Sequence, residues 1–236
     1  MELVDKLKYF GLTGQEATIY LTLMGSDGMT GYEAAKTTGI SRSNTYTALA
    51  GLVDKGASYV MEGKVTIYTA VPLDEFCKNR IRKMETLRDE MLQELPVVRR
   101  AVEGYFTISG AERIMDKMKN MIDGAAARVY VAASQPVLEE IRPELEEAVA
   151  RHLKVVVIAA PGFKLPGAII HYGQRDNTQI RLISDSATVL TGDLKDGADA
   201  TCLYSSKQNL VDLFKETLKN EITLIQLTAD REGKEQ

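Results

Sequence analysis

Apolar residues recur along this chain with two periods, and the switch between them marks out its elements. After Thr13, positions Ala17, Tyr20, Leu21 and Met24 fall at i, i+3, i+4 and i+7, one face of a helix. A short second helix follows Thr30, with Ala34 and Ala35 expected on its inner face. Gly39 supplies the left-handed turn residue, Ile40 plugs the core, and Ser41 caps a third helix. In that helix Tyr46, Leu49 and Val53 are expected to form the buried stripe. The period then changes. Ser58–Met61 and Val65–Tyr68 are two β-prone runs around Glu62-Gly63-Lys64, which reads as a hairpin. Helix, helix, tight turn, helix, hairpin is the order of a winged helix-turn-helix.

Three segments carry Ser or Thr followed three residues later by Glu: Thr13…Glu16, Thr30…Glu33 and Ser109…Glu112. Each spacing predicts a capping box, in which the hydroxyl accepts from the N3 amide and the carboxylate accepts from the N-cap amide.

From Leu73 the pattern is helical for about 25 residues. Cys77, Ile81, Met84, Arg88, Met91, Leu95 and Val98 alternate in steps of four and three, and Leu87 and Leu92 thicken the stripe. Two readings fit: a helix packed within its own chain, or a two-stranded coiled coil that joins two copies. Pro96 is expected to break or kink the helix.

Strand and helix signals alternate after Gly104. Strands are predicted over Tyr105–Ile108, Arg128–Ala133, Val155–Ala160, Gln179–Ile183, Thr188–Thr191 and Thr201–Tyr204. Helices are predicted over Ala111–Ile122, Val137–Arg151 and Lys207–Leu227. Val155–Ile158 is apolar on both faces, as in a doubly covered sheet. The expected architecture is therefore an α+β winged helix-turn-helix domain over 1–72, a helical dimerisation connector over 73–103 and an α/β domain over 104–236 that binds an effector or the partner subunit.

The chemistry is concentrated in the third helix. Ser41-Arg42-Ser43-Asn44-Thr45-Tyr46-Thr47 is polar, rich in hydrogen-bonding groups and free of acids. Base edges and phosphates offer many acceptors, and a carboxylate there repels phosphate. Arg42 can take a guanine edge or a phosphate, Asn44 can read adenine, and Ser41, Ser43, Thr45 and Thr47 can bond phosphates or bases. Thr30 and Tyr32 at the start of the second helix, and Lys64 at the wing tip, complete the expected DNA contacts. A solvated helix end favours the same residue types, so composition alone does not separate the two readings.

Composition changes this picture little. The net charge is −4 over 236 residues, with 44% apolar residues. Residues 1–100 hold 13 Lys+Arg and 13 Asp+Glu, so the acidity lies in the remainder. The basic footprint common in nucleic-acid binders is missing, and local geometry must carry the argument. No stretch approaches the roughly 20 apolar residues of a membrane span, and the N-terminus has no signal-peptide core. A soluble cytoplasmic protein without membrane association is expected. Cys77 and Cys202 lie far apart, without the Cys/His spacing of a zinc site. They read as two buried thiols or, alternatively, as a redox-sensing pair. No metal and no cofactor are expected.

The N-terminal segment Gly11-Leu12-Thr13-Gly14-Gln15-Glu16-Ala17 resembles the opening of TrmB-type regulators, in which Gly-Leu-Thr-x-x-Glu-Ala leads into a winged helix. The resemblance continues through Gly39–Ser43, Tyr46, Leu49, Leu52, Lys55-Gly56 and Tyr68-x-Ala70-Val71-Pro72, and covers roughly residues 3–95. It implies a transcription regulator that binds double-stranded DNA sequence-specifically as a homodimer, with the third helix in the major groove. Ala57-Ser58 departs from the apolar residues usual at the entry to the wing.

The C-terminal half resembles the phospholipase D-like domain found in many such proteins. Those enzymes use His-x-Lys-x-x-x-x-Asp, with a Gly seven residues beyond the Asp. Asp185 and Gly192 keep the last spacing, but Thr178 and Ile180 occupy the His and Lys positions. Threonine without a base is a poor nucleophile and isoleucine carries no charge, so a catalytically degenerate domain is expected, and no enzyme. His171, Tyr172 and Arg175, in a loop-rich stretch over 161–177, together with Asp185, are the candidate site for a small-molecule effector. The alternatives are a phosphodiesterase with a displaced histidine, which would be His171, and a winged helix that binds protein rather than DNA.

Overall fold

The computed structural model describes residues 1–95, 104–173, 178–194 and 200–232, with side chains to residue 228. The chain divides into two compact units, Met1–Val98 and Arg99–Gln236. Each is described by itself.

The first unit contains helices α1 (Leu3–Tyr9), α2 (Gly14–Met24), α3 (Gly31–Thr38) and α4 (Arg42–Asp54). Strands β1 (Ser58–Met61) and β2 (Ile67–Ala70) and helix α5 (Leu73–Glu94) follow. Two capping boxes form as the spacing predicts, at Thr13/Glu16 and Thr30/Glu33. Gly39 ends α3 with φ of 71°, a conformation glycine adopts without a Cβ clash. The third box is absent. Ser109 ends a strand, and Gly110, with φ of 96°, is the N-cap instead.

Two predicted helix faces rotate in the structure. In α2 the buried apolar residues are Ala17, Ile19, Tyr20 and Leu23, while Met24 is exposed. In α4 they are Thr45, Ala48, Leu49 and Leu52, while Tyr46 is 51% exposed. Burial of Thr45 is possible because its hydroxyl donates to the main chain, 3.0 Å from the Ser41 carbonyl. Ile40 is partly buried against this core. The first turn of α5 belongs to the same core. Phe76 is fully buried, 5.7 Å from the ring of Tyr20, whose hydroxyl donates to the Val71 carbonyl at 2.8 Å.

The hairpin is antiparallel, with Ser58 opposite Ala70 and Met61 opposite Ile67. Its second strand therefore starts two residues later than the hydrophobic run suggests, and residues 62–66 form the connection. Ser58 at the wing entry is buried, and its hydroxyl donates to the Thr69 carbonyl at 3.0 Å, so the polar departure is satisfied.

The second unit is a seven-stranded mixed sheet in the order β3-β9-β8-β7-β4-β5-β6. The strands are β3 (Tyr105–Ser109), β4 (Arg128–Ala132), β5 (Lys154–Ala159), β6 (Ile169–Tyr172), β7 (Gln179–Ser184), β8 (Thr188–Asp193) and β9 (Thr201–Ser205). β4, β5 and β6 are parallel neighbours, and the remaining pairings are antiparallel. Helices α6 (Ala111–Asp123), α7 (Gln135–Glu140) and α8 (Arg142–Ala150) cover one face, burying Val129, Val155, Val157 and Leu182. α9 (Gln208–Glu232) covers the other, with Val211 and Leu218 against Ala132, Ile158 and Ile183. Alternate residues of β5 thus face two cores, which explains its unbroken apolar run.

Two expectations change here. The single helix over 137–151 is two helices, because Pro143 lies in the first turn of α8, where its missing amide hydrogen costs nothing. The stretch expected to be loop contains β6, a four-residue edge strand with little periodicity to betray it.

Cys202 is buried, and burial first, then the charge of Asp193, pushes its thiol up to about 12. Cys77 is also raised by burial. Both thiols stay protonated near neutral pH, which disfavours thiolate chemistry. Among the described residues no helix is long and apolar enough to cross a membrane, and no group of His, Cys, Asp and Glu could hold a metal.

Candidate nucleic-acid interface

The exposed ridge of α4 is built by its own burial pattern. Thr45, Ala48, Leu49 and Leu52 turn inward, so Ser43, Asn44 and Thr47 turn outward together. Ser41 caps the helix, its Oγ accepting from the Asn44 amide at 3.4 Å. The Thr47 hydroxyl donates to the Ser43 carbonyl at 3.1 Å, so it turns back onto its own helix. The helix has no acid in its first turn, and Asp54 is its first carboxylate. Its positive end and its outward amide and hydroxyl groups therefore suit an anionic duplex.

Arg42 is the one charged side chain at this tip. Its guanidinium lies 4.8 Å from the centre of the Tyr32 ring, a cation–π contact that limits its rotamers. Tyr32 thereby acquires a role as the support of Arg42. Tyr46, expected in the buried stripe, is 51% exposed instead. It follows Arg42 by four residues and lies on the same side of α4. Its ring covers Gly31 so closely that a Cβ at position 31 would collide with it. The glycine directly after Thr30 was the available signal.

Two expected contacts read differently in three dimensions. Thr45 is fully buried and faces the core, so it is withdrawn from the interface. The Thr30 hydroxyl accepts from the Glu33 amide at 3.2 Å and lies 2.9 Å from its carboxylate, so it is committed to capping α3. Lys64 is exposed within the loop joining β1 and β2, where the sequence reading placed it.

The expected effector residues do not converge. His171 and Tyr172 lie on edge strand β6, with His171 level with Ile158 of β5, toward the carboxyl ends of the parallel strands. The Tyr172 hydroxyl donates to the Phe163 carbonyl at 2.9 Å. Asp185 lies at the opposite end, where β4 begins. Its carboxylate accepts from the amides of Ala126, Ala127 and Arg128 at 2.7–2.9 Å. Burial alone would raise its carboxyl, but these three donors hold it below the usual carboxylate range. Asp185 is a structural clamp, adopting φ of 52° to reach the three amides. Arg175 lies outside the described residues. Ile180, at the position of the catalytic lysine in the phosphodiesterase pattern, is buried among apolar side chains.

A different groove, of about 420 Å³, opens on the α9 side of the sheet. Gln179, Arg181, Thr191 and Thr201 line it with hydrogen-bonding groups, and Phe214 adds an aromatic ring. Arg181 is held there by Glu221 at 3.0 Å.

Comparison with known proteins agrees with this organisation. Residues 7–74 match the family described as sugar-specific transcriptional regulator TrmB. Residues 104–214 match the family described as transcriptional regulator TrmB, EBD N-terminal subdomain. The chain is 26% identical over 236 aligned residues to the uncharacterized protein YrhO of Bacillus subtilis, covering 95% of this chain and 86% of that one. It is 24% identical over 158 residues to the sugar sensing transcriptional regulator TrmBL1 of Pyrococcus furiosus, covering 62% of this chain and 44% of TrmBL1, less than half of that relative's length. The solved structure of TrmBL2, an archaeal chromatin protein, aligns over 93% of this chain and 96% of its own, with 20% identity and a TM-score of 0.44. With both of its units matched by models of one family, the chain belongs to the TrmB family of DNA-binding transcriptional regulators.

Proposed function

We propose that the protein is a cytoplasmic homodimer that reads a specific DNA sequence through α4 and answers to a small carbohydrate bound by its second unit. The observation that carries the DNA part is the acid-free ridge of Ser43, Asn44 and Thr47, with Arg42 held beside it by Tyr32. In this reading Asn44 and Arg42 contact base edges, Ser41 and Ser43 contact phosphate, and Tyr46 contacts the backbone over the start of α3.

Selection of bound fragments from genomic DNA gives the operator and tests the reading. Arg42→Ala is expected to weaken operator binding by about 1–3 kcal/mol while changing non-specific binding much less. Equal loss on all duplexes reassigns Arg42 to phosphate. Retention that does not depend on salt favours a protein partner, because each neutralised phosphate adds roughly −0.9 to the slope of log K against log salt.

The effector reading rests on the second unit's match and on the groove beside Phe214. Sugars offer many hydroxyls and a flat apolar face, which suit Gln179, Arg181 and an aromatic ring. Titration calorimetry with a panel of mono- and disaccharides is expected to show binding that Arg181→Ala weakens at least tenfold and His171→Ala leaves unchanged. The reverse pattern returns the site to β6. We also infer that the unit hydrolyses no phosphodiester, because Ile180 is buried and Asp185 is engaged by three amides. Turnover of a generic phosphodiester that is lost in His171→Ala would restore the enzyme reading.

A further inference from the structure

We infer that the surface by which two copies associate is the exposed stripe of α5, and that the two helices run antiparallel. The inference rests on the homodimer reading above and adds the surface and its polarity.

Among the side chains of α5 only Phe76 is fully buried. Ile81, Met84, Met91, Leu92 and Leu95 are each at least half exposed, on one side of a 22-residue helix. Beside them Tyr9, 80% exposed, and Phe10 border a groove with Ile81 and Met84. An apolar stripe of this length and spacing is the seam of a helix pair.

Charge then selects the direction. Asp74 and Glu75 lie in the first turn, where Lys78 pairs with Asp74 and the Tyr59 hydroxyl donates to Glu75. Beyond that turn Lys78, Arg80, Arg82 and Lys83 give the first half of the stripe a net positive charge, and Asp89, Glu90 and Glu94 give the last turns a negative one. Parallel pairing brings the two basic halves together and the two acidic ends together. It also sets Arg88, which interrupts the stripe, against Arg88 of the partner subunit inside the seam. Arg88 bonds Asp89 at 2.9 Å, but this exposed pair carries little weight against a desolvated like-charge contact.

Antiparallel pairing reverses each of these terms. The basic half of one helix lies along the acidic end of the other, and the helix dipoles oppose. Ile81 then meets Met91 of the partner subunit, and Met84 meets Arg88 of the partner subunit. The two Arg88 and two Glu85 side chains gather around the two-fold axis as a neutral cluster. Met91 and Leu95 of the partner subunit approach the groove beside Tyr9. The winged helices, anchored through Phe76, stand at opposite ends of the pair. A helix of 22 residues is about 33 Å long, close to the roughly 34 Å between half-sites one turn apart on DNA.

Disulfide trapping in the full-length chain tests this, in a Cys77→Ser background with Cys202 left buried. A disulfide needs Cα atoms within about 7 Å, and ten helical residues span about 15 Å, so each geometry permits a different bond. Under mild oxidation an Ile81→Cys, Met91→Cys double variant, and an equal mixture of the two single variants, are expected to migrate as dimers. Each single variant alone is expected to stay monomeric on the gel. Dimer formation by either single variant alone means parallel helices and overturns the inference. No crosslink in any variant, with sedimentation still giving a dimer, moves the association surface elsewhere and leaves the homodimer reading intact. Sedimentation of the wild-type chain as a monomer removes both.

Discussion

Replacing Gly192 by alanine is expected to destabilise the second unit by about 3 kcal/mol or more, the upper part of the range for overpacking. Gly192 lies in β8, opposite Cys202 of β9 and Ile180 of β7. A Cβ built there collides with the Thr201 carbonyl oxygen and lies 2.5 Å from the Cys202 Sγ and 2.6 Å from its Cα. Two of these atoms are backbone, so no side-chain rotation relieves the contact. Ladders on both sides of β8 prevent it from moving without breaking hydrogen bonds to one neighbour. A fall of roughly 10 °C in the unit's unfolding midpoint is expected by calorimetry. Lost hydrogen-exchange protection in β7, β8 and β9 should accompany it. A midpoint equal to the wild type's means that the strands have room and that this account of Gly192 is wrong. The result also bears on the phosphodiesterase resemblance. Asp185 and Gly192 keep that pattern's spacing, and each has a structural task here, one as a backbone clamp and one as a close approach between strands.

The second large effect is expected at Glu16. The residue is 6% exposed, and its carboxylate accepts from the Thr13 amide at 2.6 Å and pairs with the Lys55 ammonium at 2.6 Å. Lys55 is the C-cap of α4, so one acid joins the start of α2 to the end of the helix proposed to enter the groove. Glu16→Ala leaves a part-buried ammonium and an unpaired amide. With Lys55 still about one-third exposed, the cost is expected to be about 2–3 kcal/mol, below that of a fully buried pair. Chemical denaturation of residues 1–95 in the full chain measures it, and operator affinity should fall as α4 loses its anchor. Wild-type stability for Glu16→Ala would show that the pair is not coupled to folding.

The same group sets an acid limit. Burial alone would raise the Glu16 carboxyl, but the hydrogen bond from Lys55, the Thr13 amide and the Lys55 charge together bring it below its ordinary value of 4.5. A lowered carboxyl stabilises the folded state above the unfolded value, and the benefit disappears as pH falls through the folded value. Stability of the winged helix should therefore drop below about pH 4.5 in the wild type. In Glu16→Gln that part of the drop should vanish, because an amide does not titrate.

Much of this molecule can be read directly from its residues. The two N-terminal capping boxes, the Gly39 turn and the seven-residue rhythm of α5 are local, because each depends on groups three to seven positions apart. The doubly covered strand β5 is legible for a related reason: burial on both faces leaves no polar alternation. The failures are equally particular. Ser109…Glu112 has a capping-box spacing, but pairing of Ser109 with Thr201 holds it in a strand and leaves Gly110 to start the helix. Thr45 looks like a DNA contact because threonine is polar, and only the carbonyls of Ile40 and Ser41 make its burial tolerable. Tyr46 looks like core because it is aromatic, and only Gly31 on a neighbouring helix shows where its ring lies.

What the chain alone determined is therefore most of the elements, their order and the helix tip without acids, since these follow from periodicity and nearest-neighbour chemistry; α1, β6 and the break between α7 and α8 escaped it. What only the tertiary structure decided is which side of each helix faces inward, that Asp185 clamps three amides instead of meeting His171, and that Arg42 stands against Tyr32. Each of these joins residues ten or more positions apart, and such contacts follow from packing that no local pattern encodes.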